Sequence, residues 1–288
     1  MRKVLAKRLL AIALLLCILC LVFGSCSEKS SFSITFINVG QGDAALVECD
    51  GRYMLIDGGG VLKGEKVKET LKENGVKKLD ILVISHLHED HYGGIAEGLK
   101  ALQVEKIDIT ISNSIHTDQK SFVALVKELE QHETEITIPT EKDTYDLGSA
   151  TIEVVDVKNE DNNDSLVLLI TYKNTRVLFT GDIEAKAQER ISDKYQNDDD
   201  TPFVVDLMKM PHHGSHTDKL YRFLRTFMPE NVVISVGKGN EYGHPSDKTL
   251  DYLKGNGKWK PETYRTDFDG DIIFRYSDDK RKLIYEAK

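Results

Sequence analysis

The chain has 288 residues, 40% hydrophobic and 30% charged, with a formal net charge of −9 at neutral pH. That length holds one large core or two small ones, and the composition is that of a globular protein, which excludes a disordered or collagen-like chain. Four cations, Arg2, Lys3, Lys7 and Arg8, sit in the first ten residues; −9 less these four leaves −13 on the rest, which argues against a broad nucleic-acid-binding face but not against a local basic groove.

Those cations precede an apolar run, Leu9 to Phe23, that is short for a membrane span. Phe23-Gly24-Ser25-Cys26 then places small residues before a cysteine, and the polar Ser27-Glu28-Lys29-Ser30-Ser31 follows. The pattern resembles a bacterial lipoprotein signal. Residues 1–25 read as a signal peptide cut before Cys26, whose thiol takes lipid, residues 26–31 as a tether, and residues 32–288 as the folded domain. The competing reading is an uncleaved signal anchor; either one places the body outside the cytoplasmic membrane. Cys17 and Cys20 lie in the apolar run, so Cys49 alone remains in the body. The body is therefore expected to have no disulfide and no cysteine cluster for zinc, and Cys49 reads as an inert core thiol.

Along the body, Phe32 to Val39, Ala44 to Cys49 and Tyr53 to Asp57 read as a strand meander. It is broken by Gly40-Gln41-Gly42-Asp43 and Asp50-Gly51-Arg52 and ends at Gly58-Gly59-Gly60. The two glycine-rich turns lack the phosphate-loop and dinucleotide spacings and read as turns approaching a site floor. Lys63 to Asn74 is helical in pattern and stops at Gly75. Leu79 to Ile84 is a β-branched apolar run and reads as a buried strand. It delivers Ser85-His86-Leu87-His88-Glu89-Asp90-His91-Tyr92-Gly93-Gly94, three histidines and two carboxylates in six positions. A helix is expected over Gly94 to Leu102, a strand over Ile107 to Ile111, a helix over Ser121 to Gln131 and a strand over Glu135 to Ile138. His116 and His132 sit in polar surroundings and read as surface residues. Tyr145 to Gly148 and Thr151 to Val155 close the first half.

The second half opens on the polar Asp161-Asn162-Asn163-Asp164-Ser165. The strands Leu166 to Tyr172 and Val177 to Thr180 lead to Gly181-Asp182, then a helix over Glu184 to Tyr195. The acidic Asn197-Asp198-Asp199-Asp200 lacks the spacing of a calcium loop and reads as solvated. Phe203 to Met210 reads as a buried strand ending in Pro211-His212-His213-Gly214-Ser215-His216. A helix over Lys219 to Phe227, a strand over Asn231 to Val236, a helix over Ser246 to Lys254 and a hairpin of Gly270 to Tyr276 with Lys282 to Glu286 complete the chain. Strands in meanders interleaved with helices predict an α/β fold, an αββα four-layer sandwich with its site along one sheet edge.

Three strand ends thus offer ligands: His86, His88, Asp90 and His91; Asp182; and His212 with His213. Imidazole and carboxylate together are a ligand set for zinc and tolerable for manganese or iron. The His-Leu-His-Glu-Asp-His run looks like the His-x-His-x-Asp-His signature of the metallo-β-lactamase superfamily of hydrolases. VGQGDA, LIDGG, LMKMPHHGS and SVGKGNEYGHPS, from Phe32 to about Ile273, resemble its ComEC-type competence branch. The resemblance implies two divalent metals, with zinc favoured and manganese compatible. His86 and His88 would hold one and Asp90 and His91 the other, Asp182 would bridge, and one of His212 and His213, with a lean to His212, would complete the second. Many members supply a further histidine before the bridging aspartate; here Asn163-Asp164-Ser165 stands in its place. Two metals about 3.5–4 Å apart can hold a hydroxide as nucleophile at neutral pH, which Asp90 would orient and whose proton it would later carry. Asp57 reads equally as support for a ligand or as a turn carboxylate.

Lys209, Ser215, His244, Asn163 and Ser165 are candidate substrate contacts for a phosphate, and Tyr242 a stacking surface for a base. Lys209 reads equally as a solvated strand residue, and His244 as a loop histidine capped by Pro245. The expected activity is phosphodiester hydrolysis, on DNA or another phosphodiester, by a free-standing, lipid-anchored relative with the membrane as its partner and no obligate protein partner. The alternatives are hydrolysis of a β-lactam or of a cell-wall choline-phosphate ester, or a metal-stabilised binding protein without activity.

Overall fold

In the computed structural model the described residues are 31–102, 107–115, 119–158, 165–196, 201–255 and 259–287. The signal and tether readings of residues 1–30, with Cys26, lie outside them, as do His116, Asn163 and the acidic residues 197–200. Among the described residues no helix is long and apolar enough to cross a membrane.

The first meander forms as its alternation requires. β1 (Phe32–Phe36), β2 (Ala45–Cys49) and β3 (Arg52–Ile56) pair antiparallel, then β4 (Ile81–Ile84), β5 (Ile109–Ser112) and β6 (Ile136–Thr137) continue in parallel. β7 (Thr144–Leu147), β8 (Ala150–Asp156), β9 (Val167–Tyr172) and β10 (Thr175–Phe179) make a second antiparallel run, continued in parallel by β11 (Leu207–Lys209), β12 (Asn231–Ile234) and β13 (Glu262–Arg265). The final hairpin, β14 (Ile272–Ser277) and β15 (Lys282–Glu286), crosses back onto β1. The result is one sheet of eight strands and one of seven.

Side-chain alternation sorts the strands into layers, because successive residues of a strand face opposite sides. Leu168 and Ile170 point between the sheets with Phe36, Val47, Met54, Val83, Phe179 and Phe274. Val167 and Leu169 point outward onto the helix layer of Ile191, Phe223 and Phe227. Leu82 and Ile84 likewise face outward to Leu71, Tyr92 and Leu125, while Ile81 and Val83 face in. Helix, sheet, sheet, helix is the order, which is the expected αββα sandwich.

Three expectations change. The strand read over Phe203 to Met210 is only Leu207–Lys209, because the Phe203 and Val205 amides donate to Thr226 and Phe227 carbonyls of the neighbouring helix instead of to a strand. β13 and the short helix Thr266–Asp269 were not read from the sequence; β13 has no fully buried residue to mark it. His132 is buried, not on the surface, since it closes the helix Lys120–Gln131 and its carbonyl accepts from the Ile107 amide.

Candidate metal centre

The carboxyl ends of β4, β10, β11 and β12 open at one edge, the place where parallel strands hand side chains to a ligand. β4 runs into Ser85 and His86, β10 into Asp182, and β11 into His212 and His213. The glycine turns admit this convergence. A Cβ on Gly42 would stand 2.1 Å from the Asp90 carbonyl, at a backbone φ of +124° that side chains rarely adopt. The Asp43 amide donates to that same carbonyl, and the Gly58 amide to that of His91.

Each inner imidazole is held by Nδ1 and presents Nε2. His91 Nδ1 lies 2.9 Å from Asp57 Oδ2, and the Asp57 carboxylate also accepts from the Ser85 amide and hydroxyl. His213 Nδ1 lies 2.9 Å from the Ser235 carbonyl, and His86 Nδ1 lies 3.2 Å from both the Ser85 and the Ser165 hydroxyl. Fixing one ring nitrogen of a histidine determines what the other can do. The Nε2 atoms of His91 and His213 lie 3.1 Å and 3.3 Å from Asp182 Oδ2, and His213 Nε2 lies 3.3 Å from Asp90 Oδ2.

The Nε2 atoms of His86, His91 and His213 are buried and have no hydrogen-bond partner. Buried polar atoms are ordinarily hydrogen-bonded, so three such nitrogens, two of them against the Asp182 carboxylate and the third in a group with it, mark a site that fits an additional ligand. His86, His91 and Asp182 form one group that could hold an ion; Asp90, His91 and His213 form another. The electrostatics agree. Burial opposes charge on His91 and His213, yet the Asp182 carboxylate raises the pKa of both well above the ordinary imidazole value. Burial likewise opposes ionisation of Asp182, but His213, His91 and Lys209 hold its pKa well below the usual carboxylate range. Burial and the neighbouring His91 push His86 well below its ordinary value, which keeps that imidazole neutral and ready to donate a lone pair. The pocket therefore favours added positive charge and offers neutral nitrogen and ionised oxygen, the donors a divalent metal takes.

The other predicted residues fall in different places. His88 is half-buried with its ring 4.5 Å from that of His86, while His212 has Nε2 3.8 Å from Asp182 Oδ2 and Nδ1 3.2 Å from Glu184 Oε1. Against the lean to His212, the candidate groups among the described residues contain His213. His212, His213 and Gly214 all have positive φ (44°, 52° and 81°), and this tight turn folds the second histidine in and leaves the first, 23% exposed, at the mouth. His244 stands beside it, its ring 5.5 Å from His212 and stacked on the exposed Tyr242. Ser215 is half-buried on the same loop, its carbonyl accepting from the Thr249 hydroxyl.

Two of the candidate substrate contacts are corrected. Ser165 is fully buried behind the ligands, bonded to His86 and accepting from the Asp182 amide, so it does not reach the cleft. Lys209 is buried beneath Asp182 and paired with Asp43, so it is neither solvated nor available to a phosphate. Asp57, read equally as ligand support or as a turn carboxylate, meets His91 Nδ1 and Ser85. Asp43 and Ser85 were not singled out as site residues from the sequence; the turn Gly40-Gln41-Gly42-Asp43 was the available signal.

Comparison with known proteins agrees with this geometry. The family model for the metallo-beta-lactamase superfamily matches residues 37–238. ComE operon protein 3 of Bacillus subtilis (strain 168) is 28% identical over 277 residues, 86% of this chain and 33% of that protein. Competence protein ComA of Neisseria gonorrhoeae is 28% identical over 254 residues, 85% of this chain and 32% of that protein. The chain thus spans about a third of the length of these relatives. Among solved structures, the metallo-beta-lactamase fold protein YhfI from Bacillus subtilis superposes with a TM-score of 0.56 at 15% identity, covering 86% of this chain and all of that one.

Proposed function

This chain belongs to the metallo-β-lactamase superfamily of hydrolases, with relatives in its ComEC-type competence branch, and on that premise we propose that it is a binuclear metal-dependent phosphodiesterase. The carrying observation is the grouping of the buried imidazoles of His86, His91 and His213 with the Asp182 and Asp90 carboxylates, their Nε2 atoms without a well-formed hydrogen bond. His86 and His88 with Asp182 would hold one ion; Asp90, His91 and His213 with Asp182 would hold the other. Zinc suits the imidazoles best, and manganese suits the carboxylates. When bound, such a pair supplies Lewis acidity to a phosphoryl oxygen and to water.

The chain's own residues do the rest. Asp57, Ser85, Ser165 and the Ser235 carbonyl fix the rings, so each Nε2 is oriented before any ligand arrives. Asp90, with 37% of its side chain exposed, is the most open of the inward carboxylates and would orient the attacking water and later carry its proton. His212, His244 and Tyr242 line the mouth, where imidazole can donate to a phosphate and the exposed ring can stack on a base. The similarity to competence proteins supports a nucleic-acid or other phosphodiester substrate, and lipid on Cys26 would hold the domain at the outer face of the membrane. The negative body favours a small or wall-bound substrate as the second reading, a β-lactam or choline-phosphate ester. Turnover of bis-p-nitrophenyl phosphate that a chelator abolishes and Asp182→Ala removes supports the first reading; activity confined to lactams or choline esters supports the second.

A further inference from the structure

We propose that Lys209 is a positioning residue that occupies one oxygen of Asp182, Oδ1, and leaves Oδ2 as the single oxygen this carboxylate offers to the metals. The inference rests on the binuclear reading above.

Lys209 ends β11 and has only 3% of its side chain exposed. An ammonium group has three N–H donors. All three are committed here: to the Asp43 carboxylate, to the Gly181 carbonyl at 3.0 Å, and to Asp182 Oδ1 at 3.4 Å. None is left for a substrate. The two oxygens of Asp182 are thereby divided, with Oδ1 on Lys209 and Oδ2 on the side of His91 and His213.

Asp43 closes the arrangement. Its Oδ2 meets Lys209 and its Oδ1 lies 3.4 Å from His213 Nδ1, so lysine, aspartate, histidine and Asp182 form a ring of contacts. Turning the Asp182 carboxylate would break the contact to Lys209 on one side and to the histidines on the other. A carboxylate free to use both oxygens can chelate one ion. Held by an ammonium at one oxygen, it would present only the other to the metals. The lysine also offsets one of the buried negative charges facing the pair.

The test uses manganese alone, titrated into the metal-free full chain, with electron paramagnetic resonance and thermal melting as readouts. Lys209→Met alone strands Asp43, so the decisive variant is Asp43→Asn with Lys209→Met, which removes both members of that buried pair and takes the ammonium from Asp182 Oδ1 alone. The wild type is expected to give the spectrum of an exchange-coupled manganese pair. The double variant is expected to melt as a folded protein, to lose the coupled signal and to bind its second manganese roughly tenfold or more weakly. Asp43→Asn alone, which keeps Lys209 on Asp182, is expected to retain the coupled signal. A folded double variant with wild-type coupling and affinities overturns the inference, and so does loss of coupling in Asp43→Asn, which decides the matter should the double variant not fold. A wild-type chain that binds no manganese pair would overturn the functional reading itself; failure confined to the variants overturns this inference alone.

Discussion

Asp57 Oδ2 lies 2.9 Å from His91 Nδ1, and both side chains are essentially fully buried. A turn carboxylate at the end of β3 thereby sets which nitrogen of the histidine is presented at the site. Asp57→Asn keeps the shape and removes the charge. It is expected to weaken binding of a metal by roughly 10–100-fold, the usual range for losing such a partner. Competition with a chromophoric chelator measures this, and an unchanged affinity would remove Asp57 from the account.

The neighbouring histidines of Pro211-His212-His213 should behave differently. His213→Ala removes an Nε2 that faces Asp182 and Asp90 at 3.3 Å, and is expected to lower metal content by about one ion per chain. His212→Ala acts at the mouth and is expected to leave metal content intact while lowering turnover. Elemental analysis of the two variants side by side checks the assignment, and the reverse pattern would restore the lean to His212.

Metal binding should release protons. Burial opposes charge on His91 and His213, but Asp182 raises both pKa values well above the ordinary 6.5, so the metal-free protein carries protons there that a metal must displace. Affinity is therefore expected to rise with pH through neutrality. For the metal-free fold the sign is opposite: these two groups contribute stability that is complete below the unfolded imidazole pKa and is lost as pH rises through the raised folded values. Calorimetry in buffers of different ionisation enthalpy reads the proton release directly. A binding enthalpy independent of buffer would contradict it.

Gly42→Ala probes how closely the first turn meets the metal loop. The added Cβ would stand 2.1 Å from the Asp90 carbonyl, at a φ of +124°. Backbone strain of this kind costs on the order of 1–3 kcal/mol, and displacement of Asp90 should add loss of metal affinity. Gly51→Ala, at a positive φ with nothing within 4 Å, is the control, because it carries the strain without the collision. Chemical denaturation together with metal titration separates the two effects.

Much of the fold was legible because burial writes itself into local pattern. Ile81-Leu82-Val83-Ile84 is apolar at every position, and it is buried on both faces, between sheet and helices. The ligand run after it was legible for the same reason, since so many donors in so few positions serve no packing role. What escaped depended on contacts distant in sequence. Lys209 and Ser165 looked like cleft residues, but Lys209 meets Asp43 from the other sheet and Ser165 meets His86. The choice between His212 and His213 depends on left-handed backbone at two non-glycine residues, which local propensity disfavours. β13 was missed because it is an edge strand with little buried surface.

The most direct test of the central claim is metal content by elemental analysis of the purified protein, metal-free and after reloading with zinc or manganese, set beside the Asp182→Ala variant. About two ions per reloaded chain are predicted, and a loss of ions in the variant, since Asp182 falls in one candidate group with His86 and His91 and in another with Asp43 and His213. A protein that takes up neither metal would contradict it, and the buried nitrogens of His86, His91 and His213 would then need another ligand.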